Sequence, residues 1–66
     1  MRFLTKAETA ARVRYHPEAL MRLVRQGRFP KPVRLAATKL VWPEAEIESW
    51  QEARVADRDI PEEGKP

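Results

Sequence analysis

The sequence predicts a small α+β fold, a winged helix-turn-helix with three helices and a two-stranded β-hairpin wing. Three observations lead to it: two helix signals lie within a few residues of each other, an alternating β-favouring segment follows them, and a third helical segment comes next. We predict one domain over residues 1–54 and a disordered tail over residues 55–66, where charge, proline and glycine are mixed. A chain this short forms a thin core that buries only about 60% of its unfolded surface.

The first helix is signalled by the stretch LTKAETAARV. Thr5 can cap it and Glu8 stands three residues later, which is the spacing of a capping box. We place Leu4 on its apolar stripe together with three alanines, and we expect the helix to end near Val13.

The second helix is signalled by HPEALMRLVRQG. Pro17 is tolerated in a first turn, Glu18 favours the helix dipole, and Gly27 supplies a left-handed stop. The turn between the two helices is very short, with Tyr15 as the expected apolar contact, and this spacing is typical of a helix-turn-helix. On these two helices alone, a plain helical hairpin is an equally good interpretation.

The second helix has an apolar side of leucine and valine and a polar side with Glu18, Arg22 and Arg25, flanked by Met21 and Gln26. A solvated cationic face is the commoner fate of such residues. Here the cations continue past the helix in RQGRFPKPVRL, which holds four cations and no acid. This continuation favours a surface that meets a polyanion.

The segment after the second helix alternates like a β-hairpin. VRL and LVW are short β-favouring runs, and AATK between them has the length of a hairpin connection. Pro30 and Pro32 keep the preceding segment extended. Ala36 and Ala37 stand where glycine or asparagine suits a tight turn better.

The third helix starts at Pro43 and runs through EAEIESWQEAR. Ile47 and Trp50 share one face, and we take Trp42 and Trp50 as core residues. The disordered tail begins at about Val55.

Charge is distributed unevenly along the chain, whose net charge is +3. Residues 1–42 hold ten basic and two acidic residues, a net +8, and residues 43–66 hold three basic and eight acidic residues, a net −5. A basic front and an acidic back favour a polyanion at the front.

The residue inventory offers no nucleophile, base and orienting acid for covalent catalysis. There is no cysteine, His16 is the single histidine, Ser49 is the single serine, and no phosphate-binding glycine motif occurs. We therefore expect no enzyme, no cofactor and no metal site. No apolar run approaches the roughly 20 residues that span a bilayer, and no signal segment is present, so we expect a cytoplasmic protein without a membrane or small-molecule partner.

Three segments, in this order, resemble one known family. RFLTKAETAA, HPEALMRLVRQGRFPKPVRL and VWPEAEIESW, over roughly residues 2–54, resemble the AlpA-like and excisionase-like proteins, small winged-helix relatives of the MerR DNA-binding domain. The most specific piece is RLVRQGRFPKPVRL, and the spacing of the two tryptophans around Glu46 and Ile47 comes second. Thr9 stands where that family has an aliphatic residue, and Arg14 where glycine is common. Further departures from its usual residues are Tyr15, His16 and Ala37.

The resemblance implies a DNA-binding protein of mobile elements. The first interpretation of this resemblance is a recombination directionality factor, or excisionase. Such a protein binds cooperatively and bends attachment-site DNA so that an integrase can excise the mobile element. The alternative is an AlpA-like transcriptional regulator of phage or mobile-element genes. The partners implied are double-stranded DNA, an integrase and further copies of the chain along the DNA.

The candidate contact residues follow from this interpretation, because an α-helix fits the major groove and arginine can grip guanine there. The recognition-helix candidates are Pro17, Glu18, Met21, Arg22 and Arg25. The candidates for backbone and wing contacts are Arg14, His16, Arg28, Lys31, Arg34, Thr38 and Lys39. Phe29 is expected to anchor the crossing segment in the core. A hypothesis from another class is a protein-interaction module that uses the acidic third helix and the tail.

Overall fold

The computed structural model describes residues 1–59, which fold into three helices and three strands. In chain order the elements are β1 (Phe3–Thr5), α1 (Lys6–Val13), α2 (Pro17–Arg25), β2 (Val33–Ala36), β3 (Lys39–Pro43) and α3 (Glu44–Asp59). The strands form an antiparallel sheet in the order β1-β3-β2. The predicted α+β class and the three helices are confirmed, and the sheet has one strand more than predicted.

The additional strand is β1, which pairs with β3 along its whole length. Leu4, expected on the stripe of the first helix, lies in β1 instead, where it pairs with Trp42 and is buried. At the same end of the sheet, the N–H of Glu44 donates to the carbonyl of Arg2 at 2.7 Å. A strand of three residues is too short to show the alternation by which strands are recognised, so the sequence did not reveal it.

The first helix begins with the predicted capping box at Thr5. Its hydroxyl accepts from the Glu8 N–H at 3.1 Å, and the Glu8 carboxylate accepts from the Thr5 N–H at 2.8 Å. The helix ends at Val13, and Arg14 follows in the left-handed conformation at φ 65°. A residue with a Cβ costs about 1–2 kcal/mol in that conformation, which is the physical reason why glycine suits this position.

The turn from α1 to α2 differs from the prediction at Tyr15. Tyr15 is 42% exposed and is not part of the buried core. Its backbone N–H closes α1 instead, donating to the carbonyl of Ala10 at 2.9 Å. Ala10 and Leu20, both buried in the core cluster, join the two helices.

Both ends of α2 are fixed by hydrogen bonds. At the start, the His16 imidazole Nδ1 accepts from the Glu18 N–H at 3.2 Å, so His16 acts as the N-cap. At the end, Gly27 has φ 74°, and its N–H donates to the carbonyl of Val24. The N–H of Arg28 donates to the carbonyl of Leu23 at 2.9 Å. This is a Schellman motif, and it confirms the predicted glycine stop.

The core lies between the sheet and the three helices and is organised by Trp42, which is fully buried. Phe29 meets Trp42 edge to face at 6.2 Å between ring centroids and Trp50 at 4.8 Å. The predicted core roles of Trp42 and Phe29 are confirmed, whereas Trp50 is half-buried and packs against the core cluster from outside. The buried core cluster consists of Leu4, Ala10, Leu20, Phe29, Trp42 and Ile47.

The β2–β3 hairpin turns at Ala37 and Thr38. A one-residue irregularity at Leu35 shifts the register, because Arg34 pairs with Leu40 while Ala36 pairs with Lys39. None of the turn residues has a positive φ, so the turn is not of the primed type that glycine or asparagine favours. The bulge at Leu35 places one extra residue in β2, so the two strands pair through a turn that does not need glycine, and alanine is accommodated here.

The third helix starts at Glu44, one residue after the predicted start, because Pro43 ends β3. It continues through Asp59, so residues 55–59, which were assigned to the tail, are helical. No proline or glycine interrupts residues 44–60, and an Arg54–Asp57 salt bridge of 2.7 Å supports the last turns. Residues 60–66, the rest of the predicted tail, lie outside the described residues. No described helix combines the length and apolar composition needed to cross a bilayer.

Candidate nucleic-acid interface

The outward face of α2 brings together all the residues predicted for the recognition helix. A single cleft is lined by Pro17, Glu18, Met21, Arg22 and Arg25, together with Lys6 from α1. Arg22 and Arg25 are exposed, so their guanidinium groups can donate hydrogen bonds to a ligand. Met21 is half-buried and packs against the core cluster, so only part of its side chain faces the cleft.

The hairpin turn borders a second cleft that also reaches Lys6. Its lining residues are Thr5, Lys6, Ala7, Thr38, Lys39 and Leu40. Thr38 and Lys39, predicted as wing contacts, therefore lie beside the first turn of α1. Lys6 was not among the predicted site residues. Its position is set by the unpredicted strand β1, which directly precedes α1, so the sequence offered no signal beyond the charge itself.

Four of the remaining predicted contacts are spread over three other places. Arg14 and His16 stand in the turn between α1 and α2, with His16 engaged as the cap of α2. Arg28 lines a separate cleft with Trp50 and Arg54 at the C-terminal side of α2. Lys31 is exposed in the connection to β2. These four therefore do not share the cleft along α2.

Arg34 has a role within the hairpin that the sequence did not reveal. Its Nη1 donates to the carbonyl oxygen of Ala37 at 2.7 Å and so braces the turn. A guanidinium has five N–H donors, so this bond leaves donors for a further acceptor.

The basic residues of the described chain differ in whether they pair with an acidic side chain. Arg12 is bound to Glu44 at 2.6 Å and to Glu48 at 3.2 Å, which joins α1 to α3. In residues 1–59, by contrast, no salt bridge is formed by the basic residues Lys6, Arg14, Arg22, Arg25, Arg28, Lys31 and Lys39. The cations that line the cleft along α2 and the cleft beside the hairpin turn are therefore available to an external anion.

The Arg12–Glu44 contact also sets the two shifted pKa values. The hydrogen bond from Arg12 is the main cause that holds the pKa of Glu44 below its ordinary value. The same bond raises the pKa of Arg12. Both groups belong to the junction of α1 with α3 and neither lines the clefts of the candidate interface.

Two further features bear on other functions. Among residues 1–59, no group of three or more His, Cys, Asp or Glu side chains could hold a metal ion. A shallow, mostly apolar groove runs along α3 and is lined by Pro30, Ala45, Glu46, Ser49 and Trp50.

Comparison with known protein families finds a match that extends from α2 to α3. The family described as the prophage CP4-57 regulatory protein (AlpA) matches residues 18–55, more than half of the chain. The chain belongs to the AlpA family. The AlpA match includes α2 after its first residue, the hairpin and most of α3, whereas Lys6, Arg14 and His16 precede it. No curated protein and no solved structure matches the chain at a significant level.

Proposed function

We propose that this AlpA-family protein is a sequence-specific DNA-binding protein, and not an enzyme, in which α2 enters the major groove and the β2–β3 hairpin acts as a wing. The observation that carries the proposal is the outward face of α2, where Arg22 and Arg25 are exposed and have no acidic partner in residues 1–59. Cations held unpaired on one face favour a polyanionic partner. The regulatory description of the family supports the same function.

The outward face of α2 supplies the base contacts in this proposal. Arg22 and Arg25 are assigned to guanine, because arginine can form two hydrogen bonds with the major-groove edge of that base. Glu18 accepts from a cytosine amino group, and the exposed part of Met21 touches a thymine methyl. Pro17 starts the helix without needing an N–H partner, which lets the first turn approach the DNA closely. Each good arginine–guanine pair contributes about 1–3 kcal/mol of discrimination.

The remaining predicted residues supply backbone contacts. Thr38 and Lys39 at the hairpin turn reach the flanking backbone or minor groove, and Arg34 holds the turn in shape while its free donors face a phosphate. The other phosphate contacts are assigned to Arg14, His16, Arg28 and Lys31. These contacts position α2 and carry no sequence information of their own.

Within this function we propose two roles, of which the family description favours transcriptional regulation. The other is a recombination directionality factor that bends attachment-site DNA with an integrase and further copies as partners. The observation that favours it is the pair of clefts joined at Lys6, because a protein that holds the major groove and the flanking strand together can stabilise a bend.

The experiment for DNA binding is a gel-shift titration on DNA from the neighbourhood of the protein's own gene. The double variant Arg22→Glu, Arg25→Glu should lose at least tenfold in affinity, since two attractive charges become repulsive. The matched control Arg54→Glu, Arg58→Glu makes the same change of charge on α3 and should retain much more binding. Equal losses in both variants would show that net charge, and not the face of α2, determines binding.

The two roles are separated by circularly permuted probes and an excision assay. A directionality factor gives several cooperative, strongly bent complexes near an attachment site and raises excision by the integrase. A regulator gives one discrete, weakly bent complex at a promoter and does not change excision.

The protein-interaction hypothesis predicts a different result in the same titration. Under it, a partner docks on the apolar groove beside Trp50 and the carboxylates of α3. The wild-type protein would then show no shift above non-specific affinity, and this outcome would overturn the DNA-binding proposal.

A further inference from the structure

We propose that Lys6 binds a DNA backbone phosphate that lies between the groove entered by α2 and the strand reached by the hairpin turn. The proposal rests on the DNA-binding function above and adds a contact from a third element, the first turn of α1. It concerns a residue outside the AlpA match, which begins at residue 18.

The position of Lys6 is the first argument. It lines the cleft along α2 with Arg22 and Arg25, and it also lines the cleft beside Thr38 and Lys39. A DNA strand that passes from the outward face of α2 to the hairpin turn would therefore cross Lys6. Its backbone carries a phosphate at every nucleotide, so an ammonium group at this junction meets an acceptor.

The local charges are the second argument. The cleft along α2 is lined by three cations, Lys6, Arg22 and Arg25, and by the single carboxylate Glu18. Glu8, the nearest acid along α1, is engaged in the capping box with the Thr5 N–H at 2.8 Å. Lys6 forms no salt bridge within the described part of the chain.

Helix stability does not account for this lysine. Lys6 is the first residue of α1, where the positive end of the helix dipole makes a cation unfavourable. Lys6 is exposed, so its side chain does not help to fill the core. A phosphate in contact with Lys6 would offset the repulsion from the helix end.

The first test compares Lys6→Gln with the matched charge control Arg58→Gln on α3. Lys6→Gln should weaken binding to every duplex by a similar factor, about tenfold at low salt, and should reduce the slope of log affinity against log salt by about one unit. Its melting temperature should stay the same or rise slightly, which separates a binding role from a structural one. Arg58→Gln should leave the slope within about 0.3 units of the wild type.

The second test locates the phosphate. A series of duplexes, each with one neutral methylphosphonate, should include a position that weakens the wild-type protein and has no further effect on Lys6→Gln. The two proposals fail in different ways: absence of wild-type binding overturns the DNA-binding function, whereas normal binding with an unchanged salt slope in Lys6→Gln overturns only the role of Lys6. If every methylphosphonate weakened the binding of Lys6→Gln as much as it weakened that of the wild type, the assigned contact would also be contradicted.

Discussion

The indole N–H of Trp42 donates a hydrogen bond of 2.7 Å to the carbonyl oxygen of Pro30. This bond ties the connection between α2 and β2 to the central strand of the sheet. In a similar way, the indole N–H of Trp50 donates to the carbonyl oxygen of Arg28 at 3.1 Å. The two tryptophans thus satisfy two carbonyl groups of a segment that has no regular structure, and they hold this segment against β3 and α3.

Replacing Trp42 by Phe should therefore destabilise the fold by about 2–4 kcal/mol, because it leaves a cavity in the core and removes the partner of the Pro30 carbonyl. Urea unfolding followed by circular dichroism measures the change. Trp50→Phe is the control, since Trp50 is half-buried and its loss should cost less. A larger loss for Trp50→Phe than for Trp42→Phe would contradict this account of the core.

Thr9 should be replaceable by valine with a gain in stability. Its side chain is fully buried, and the hydroxyl has no hydrogen-bond partner within residues 1–59. Valine has nearly the same shape without the unsatisfied hydroxyl, so we expect a gain of about 1 kcal/mol in the free energy of unfolding. Thr38→Val at the exposed hairpin turn is the control and should change stability little. A loss in Thr9→Val would mean that the hydroxyl has a partner.

Arg14 should show opposite effects on stability and on DNA binding. Arg14→Gly relieves the left-handed conformation at φ 65° and should stabilise the protein by about 0.5–1 kcal/mol, yet it removes a proposed phosphate contact and should weaken DNA binding. Arg14→Lys keeps both the charge and the conformational cost, so it should resemble the wild type in both measurements. If Arg14→Gly bound DNA as tightly as the wild type, Arg14 would have no role in the interface.

Acid should weaken the junction between α1 and α3. Arg12 holds the pKa of Glu44 below its ordinary value of 4.5, so the folded protein binds the Glu44 proton less tightly than the unfolded chain does. The stabilisation is thus fully present above pH 4.5 and is lost as the pH falls through the lowered value. The melting temperature of Glu44→Gln should fall less than that of the wild type between pH 7 and about pH 3. Equal decreases in the melting temperatures of the wild type and of Glu44→Gln would show that Glu44 does not cause the loss of stability in acid.

Local signals in the sequence predicted the helices well. The capping box at Thr5, the proline at the start of α2 and the stop at Gly27 act over three or four residues, and each is formed as predicted. The end of α3 was misplaced, because mixed charge from Val55 onward was interpreted as disorder although no helix breaker occurs before Pro61.

The sheet and the interface depend on contacts between distant residues, which a single sequence does not show. Strand β1 exists because Leu4 pairs with Trp42, and Lys6 joins the two clefts because that pairing fixes the start of α1. The outward face of α2 was predictable, since helical periodicity alone separates its arginines from Leu20. The exposure of Tyr15 was not predictable, because periodicity does not report how far a side chain in a turn is buried.

The most direct measurement of the central claim is an amide chemical-shift map of the isotope-labelled protein titrated with a duplex from beside its own gene. We predict that the largest changes occur along Glu18–Gln26, at Lys6 and at Thr38–Lys39, with small changes along α3. Changes concentrated beside Trp50 and Glu46, with α2 unaffected, would contradict DNA binding through α2.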